Sequence, residues 1–151
     1  MRISDVYRQQ WRANILESPK LQTYKEFKTL LNPERYLTII NNFYIRRSLA
    51  KLRCSDHSLT IEKGRHLKIE RSLRLCPCCT LSCVEDEFHF LMICPAFKDL
   101  RTLYLPNFQT TYPSWGKFLT ILTSENVDVI KSLSSFVYQG LKRRNKFQGV
   151  S

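Results

Sequence analysis

Apolar residues recur at helical spacing through most of this chain. In "ISDVYRQQWRANILES", Val6, Trp11 and Ile15 fall at mixed helical intervals behind Ser4 or Asp5, either of which can cap a helix, so the segment predicts a first helix. A short second helix is expected over residues 24–31. It should stop near Asn32, because the residue before Pro33 avoids the α region. Pro33 can then open a longer helix with Leu37, Ile40, Tyr44 and Leu52 among its apolar positions. Farther on, "PAFKDLRTLYL" predicts a helix begun by Pro95, "TTYPSW" a break at Pro113, and "WGKFLTILTS" a short apolar helix. In "ENVDVIKSLSSFVYQGLKRRNKF", Val127, Ile130, Leu133, Val137 and Leu141 form one stripe at spacings of three or four, the mark of a last helix. The more polar stretch "CSDHSLTIEKGRHLKIERSLR", which holds Gly64, reads as a loop with short extended pieces. The expected class is therefore mainly α. We divide the chain into a helical basic region (residues 1–53), a cysteine-rich module (54–105) and a C-terminal helical region (106–151), packed as one unit.

Length and composition narrow the class. At 151 residues with 43% hydrophobic side chains, the chain is one domain or a fragment of one, with enough apolar material for a core. Met1 to Ile15 carries Arg2, Arg8, Arg12 and Asp5 without an apolar run, which argues against a secretory signal. No stretch approaches the roughly 18 apolar residues of a membrane span. An intracellular protein, nuclear or cytoplasmic, with no membrane partner is expected, and its thiols should be reduced.

The formal net charge is +11, which favours polyanionic partners, nucleic acid first. The excess is uneven: residues 41–74 hold nine basic and three acidic side chains, more than half the net charge in 34 positions. Arg46, Arg47, Lys51, Arg53, Lys63, Arg65, Lys68, Arg71 and Arg74 are the candidate phosphate contacts. Tyr44 can stack on a base, although its spacing from Ile40 favours a place in the core. The basic run Lys142, Arg143, Arg144 and Lys146 suits the negative end of the last helix and needs no ligand.

"RLCPCCTLSCVEDEFHFLMICP" gathers five of the six cysteines and one of the three histidines. Cys76-x2-Cys79 lets two thiolates grip one ion from a tight turn. His89 and Cys94 complete Cys-x2-Cys-x9-His-x4-Cys, four N/S ligands as a structural zinc site requires. One Zn2+ per chain is expected. Cys78 and Cys83 are spare thiols that can replace Cys76 or Cys79, so the register stays open. Glu85, Asp86 and Glu87 read as the acidic first turn of a helix carrying His89, and Cys94 should sit at its end, where Pro95 turns the chain. His57 and His66 read as surface histidines, with metal or phosphate contact as the alternative; Cys54 reads as a small buried hydrophobe. No βαβ setting surrounds the CxxC as in disulfide enzymes, and no phosphate loop, GxSxG elbow or Ser/His/Asp pattern occurs.

The stretch from Lys51 to Arg101, with its Cys-x2-Cys, its "EDEFHFL" and its closing "CP", resembles the region that follows the polymerase in non-LTR (LINE-type) retrotransposon reverse transcriptases. The resemblance covers about a third of the chain closely. It implies a CCHC zinc module with Cys76, Cys79, His89 and Cys94 as ligands, held near element RNA or target DNA and a reverse transcriptase polypeptide. No Tyr-x-Asp-Asp polymerase motif is present. The expectation is a non-catalytic, zinc-binding module that binds RNA or DNA. The alternative is a structural or protein-interaction zinc module with no direct role at nucleic acid.

Overall fold

The computed structural model describes residues 2–105 and 111–149. The helices are α1 (Ile3–Glu17), α2 (Tyr24–Phe27), α3 (Tyr36–Ile39), α4 (Phe43–Arg53), α5 (Thr60–His66), α6 (Lys98–Tyr104), α7 (Trp115–Thr123) and α8 (Val127–Phe147). The described residues contain no strand beyond one antiparallel bridge, Leu75 to Val84, so the fold is mainly α. None of these helices is long and apolar enough to cross a membrane. The boundary drawn at residue 106 lies outside the described residues.

Helix α8 is the spine. Ile130, Leu133, Val137 and Leu141 of its expected stripe are buried together with Phe136, Val127 at the helix start is exposed, and α3, α4 and α6 pack against it. Asn126 caps its start by accepting the N–H groups of Asp128 and Val129. Gly140 is required by a neighbour: a Cβ there would lie 2.7 Å from Cζ of the buried Phe90. The missing methyl lets that ring reach the backbone of α8 and seats the segment that carries His89.

The long helix expected after Pro33 is divided into α3 and α4. Asn42 is extended (φ −70°, ψ 120°), and its side chain accepts the N–H groups of Tyr44 and Ile45, so a new helix starts there. Tyr44 on the restarted helix and Leu37 on α3, both expected on the apolar side, face solvent, while Ile40, Leu49 and Leu52 are inside. α4 ends in a Schellman motif: Ser55 takes φ 53° and the Asp56 N–H bonds Lys51 O at 2.8 Å.

Helix α5 corrects the reading of residues 54–74 as loop. Its start has no local side-chain cap; instead the Thr60 N–H donates to Glu85 Oε2, 25 positions away, at 2.7 Å. Gly64, which suggested a break, sits inside the helix because a Cβ there would lie 2.5 Å from Arg74 Cγ. The helix closes at Lys68 (φ 56°), with the Ile69 N–H bonded to Gly64 O at 2.9 Å.

Candidate metal centre

Two local structures bring the soft ligands together. The first is a hairpin. Glu85 N–H bonds Arg74 O and Cys76 N–H bonds Cys83 O, each at 2.9 Å, with Ser82 turning the loop at φ 53°. Cys76 stands at the mouth of this loop and Cys79 within it.

The second is a π turn over His89–Ile93, closed by the Cys94 N–H on His89 O at 2.7 Å. In an α-helix Cys94 would lie about 140° round from His89. A π turn bonds residue i to i+5, which brings these two positions over one another. Asp86 begins the turn by accepting the His89 N–H at 2.8 Å. The turn leaves carbonyls without helical partners. The buried Arg101 guanidinium serves them, donating to Phe90 O at 3.3 Å and to Cys94 O.

The ligand atoms of Cys76, Cys79, His89 and Cys94 all lie within 4.8 Å of one another. Two edges of the cluster can be compared with a tetrahedron. Zinc bonds of about 2.3 Å to sulfur and about 2.0–2.1 Å to nitrogen imply S···S near 3.8 Å and S···N near 3.5 Å. Cys76 Sγ to Cys94 Sγ is 3.9 Å, and Cys79 Sγ to His89 Nε2 is 3.5 Å. The hydrogen bond from Cys94 pulls the Cys76 thiol down to about 3 against the effect of burial. The same contact, with burial, pushes Cys94 up, and burial raises Cys79. A bound metal would hold these sulfurs as thiolates, so its binding would release protons. Cys76, Cys94 and His89 are buried and Cys79 is half-buried, so the four can hold a metal ion in a closed site.

The spare thiols are placed differently. Cys83 is exposed, with its sulfur on Leu81 O. Cys78, pushed up to about 12 by burial, lies near Cys76 and Glu85. The Glu85 carboxylate is fully engaged, however. It accepts Arg144 Nε at 2.9 Å, Arg144 Nη2 at 2.8 Å and the Thr60 N–H. Glu85 is 1% exposed and Arg144 0%, so this is a buried bidentate pair tying the hairpin to the end of α8.

The acidic triplet therefore has three tasks, where the sequence suggested one. Asp86 alone caps the turn the triplet itself begins, while Glu85 caps α5 and pairs with Arg144. Glu87 accepts His57 Nε2 at 2.8 Å and the hydroxyls of Thr23 (3.0 Å) and Ser55 (3.3 Å). Burial pushes the Glu87 carboxyl up, yet the bond from His57 and the further donors hold it below the usual range. His57, expected at the surface, has a fully buried side chain, because only inside can it meet Glu87. His66 is exposed beside Arg65. Arg144 is a core residue and not a dipole cap, and Arg143 grips Asp99 at 2.6 and 2.8 Å. Cys54, expected inside, is exposed at the end of α4.

No protein-family model, curated protein or solved structure matches the chain.

The nine candidate phosphate contacts divide by their surroundings. Arg53 is not at the surface: it is 7% exposed, bonded to Leu122 O and Glu34, with its guanidinium over the rings of Phe27 and Tyr36. Its position at the end of α4 points it into the core. Arg74 is folded over Gly64 and donates to Ile69 O and Ile61 O, so it braces α5. Arg65 pairs with Glu62, Arg71 with Asp86, and Arg46 donates to Ile40 O. The side chains of Arg47, Lys51, Lys63 and Lys68 make no hydrogen bond or ion pair with the described residues.

Proposed function

We propose that this chain is a non-catalytic zinc module that binds RNA or DNA through cations on α4, on α5 and in the turn after it, akin to the post-polymerase region of non-LTR retrotransposon reverse transcriptases. The observation that carries the metal part is the cluster of four S/N atoms within 4.8 Å, with edges of 3.9 and 3.5 Å. Zinc suits it because a thiolate-rich, four-donor, closed set is the structural type and leaves no open position for a substrate. The ion fastens the 74–85 hairpin to the π turn, and Glu85, Asp86 and Glu87 extend that joint to α5, α8 and the segment around His57.

The nucleic-acid part rests on Arg47, Lys51, Lys63 and Lys68, cations without an acidic partner among the described residues, in the most basic stretch of the chain. The test is binding to RNA and to DNA as a function of salt, comparing wild type with a variant carrying Gln at those four positions. Each cation that neutralises a phosphate should, on removal, lower the slope of log K against log salt by about 0.7–0.9. Unchanged affinity at every salt concentration, in a folded and zinc-loaded variant, overturns this part. A protein-interaction reading has one observation in its favour: Ile3, Val6 and Tyr7 share an exposed face of α1. Loss of a protein partner on polar substitution there, with nucleic-acid binding absent in wild type, would support it.

A further inference from the structure

We propose that the outward face of α4 is a stacking platform for single-stranded nucleic acid, with a base on the Tyr44 ring beside Phe43 and phosphates on Arg47 and Lys51. The proposal rests on the nucleic-acid reading above and assigns its substrate class and contact residues.

Asn42 restarts the helix so that two consecutive aromatic residues stand in solvent, Phe43 at 55% and Tyr44 at 66% exposure. Rings this open are not part of the core, and the buried side of α4 is supplied by Leu49, Leu52 and Arg53. The two rings brace each other edge-to-face, with centroids 5.5 Å apart and planes at 77°. That arrangement sets the edge of one ring on the face of the other, and more than half of each residue's surface stays exposed. Each ring has only two side-chain torsions, so ordering it against a ligand costs little entropy.

Positions 44, 47, 48 and 51 follow i, i+3, i+4, i+7 and therefore share one face. Ser48 is short and folds its hydroxyl back onto Tyr44 O, which keeps the face low between the ring and the cations. Arg47 and Lys51 are one turn apart, about 6 Å along the axis. No acidic residue occurs between Glu34 and Asp56, so nothing on α4 or its flanks offsets those charges.

Ring faces beside uncompensated cations fit a partner that offers planar bases and phosphates together. In a duplex the base faces are already stacked on one another. An unpaired strand exposes them, and aromatic stacking with phosphate contacts is how such strands are held without sequence preference. An acidic peptide would use the cations and leave the rings idle. A bilayer would want a wider apolar surface, whereas in sequence these two rings are flanked by Asn41, Asn42, Arg46, Arg47 and Ser48, with Ile45 packed against the core.

The test uses the full chain, zinc-loaded, with oligothymidylate roughly 15 nucleotides long, its duplex with oligodeoxyadenylate, and anionic phosphatidylserine vesicles. A 2-aminopurine placed in the single strand reports stacking. Tyr44→Ala should weaken single-strand binding about tenfold or more and abolish quenching of the 2-aminopurine, without changing the salt slope. Tyr44→Phe should keep both the affinity and the quenching. Arg47→Gln with Lys51→Gln should lower the slope. Zinc content and thermal unfolding of Tyr44→Ala should match wild type, as expected for so exposed a residue.

If Tyr44→Ala and Phe43→Ala bind the single strand as wild type does while the cation variant is weakened, the platform is refuted and the nucleic-acid reading stands. If the ring variants lose duplex and single strand equally, the assignment to unpaired strands is refuted. If wild type binds neither nucleic acid, or binds only the vesicles, both proposals fall.

Discussion

Replacing Arg144 by Met should cost about 3–5 kcal/mol, far more than any surface arginine in this chain. The substitution keeps most of the side-chain length and removes the charge. Glu85, 1% exposed, then loses its bonds of 2.9 and 2.8 Å and keeps only the Thr60 N–H among those three donors. An unpaired carboxylate in such a place carries a desolvation penalty of several kcal/mol, which is why breaking one side of a buried pair costs about 3–5 kcal/mol. Typical domains have only about 5–15 kcal/mol in total, so the variant should be visibly fragile. Adding Glu85→Gln removes the stranded charge and leaves a carbonyl for Thr60, so the double variant should recover much of the loss. The assay is urea unfolding with saturating metal, read as midpoint and slope for wild type, both single variants and the double. A single-variant cost below about 1 kcal/mol, or simple additivity in the double, would refute the reasoning that this pair is buried and coupled.

Gly140→Ala places a methyl 2.7 Å from Phe90 Cζ and should destabilise by about 1–3 kcal/mol, with weaker metal binding because Phe90 adjoins His89; unfolding and a metal titration check it. Cys78→Ser and Cys83→Ser should retain the metal, whereas Cys79→Ser should lose it, as elemental analysis of each variant will tell. The Asp99 carboxyl is lowered from 3.8 to about 2 by its bonds to Arg143, so its contribution to stability is present above 3.8 and fades as pH falls through about 2. Because the pair is exposed, Asp99→Asn should cost less than about 1 kcal/mol near neutral pH, by denaturant midpoint.

The parts of this structure written in local pattern were legible in the sequence. The stripe on α8, the helix begun at Pro95 and the four soft residues at ligand spacing all depend on neighbours within a few positions, whereas the stop expected near Asn32 comes earlier, with α2 ending at Phe27 and Lys28 extended. The features that local pattern hides depend on distant partners. The cap of α5 comes from Glu85, His57 is drawn inside by Glu87, and Gly64 is needed by Arg74. A composition reading sees polar residues there and infers a surface. Arg53 and Arg144 show the same limit for charge, since a basic run does not reveal which member faces Glu34 or Glu85. The turn at Asn42 is a different case. Asn41-Asn42 before an aromatic pair is a local capping signal, and the apolar periodicity running through Ile40 and Tyr44 masks it.

The most direct test of the central claim is the metal content of the full chain purified without chelator, read together with its folding on chelation. One zinc per chain is expected, held by Cys76, Cys79, His89 and Cys94, with loss of the cooperative unfolding transition when a strong chelator removes it, since structural zinc contributes about 10–16 kcal/mol of apparent binding energy to folding. A protein that carries no stoichiometric metal and unfolds with the same midpoint in the presence of chelator would contradict it.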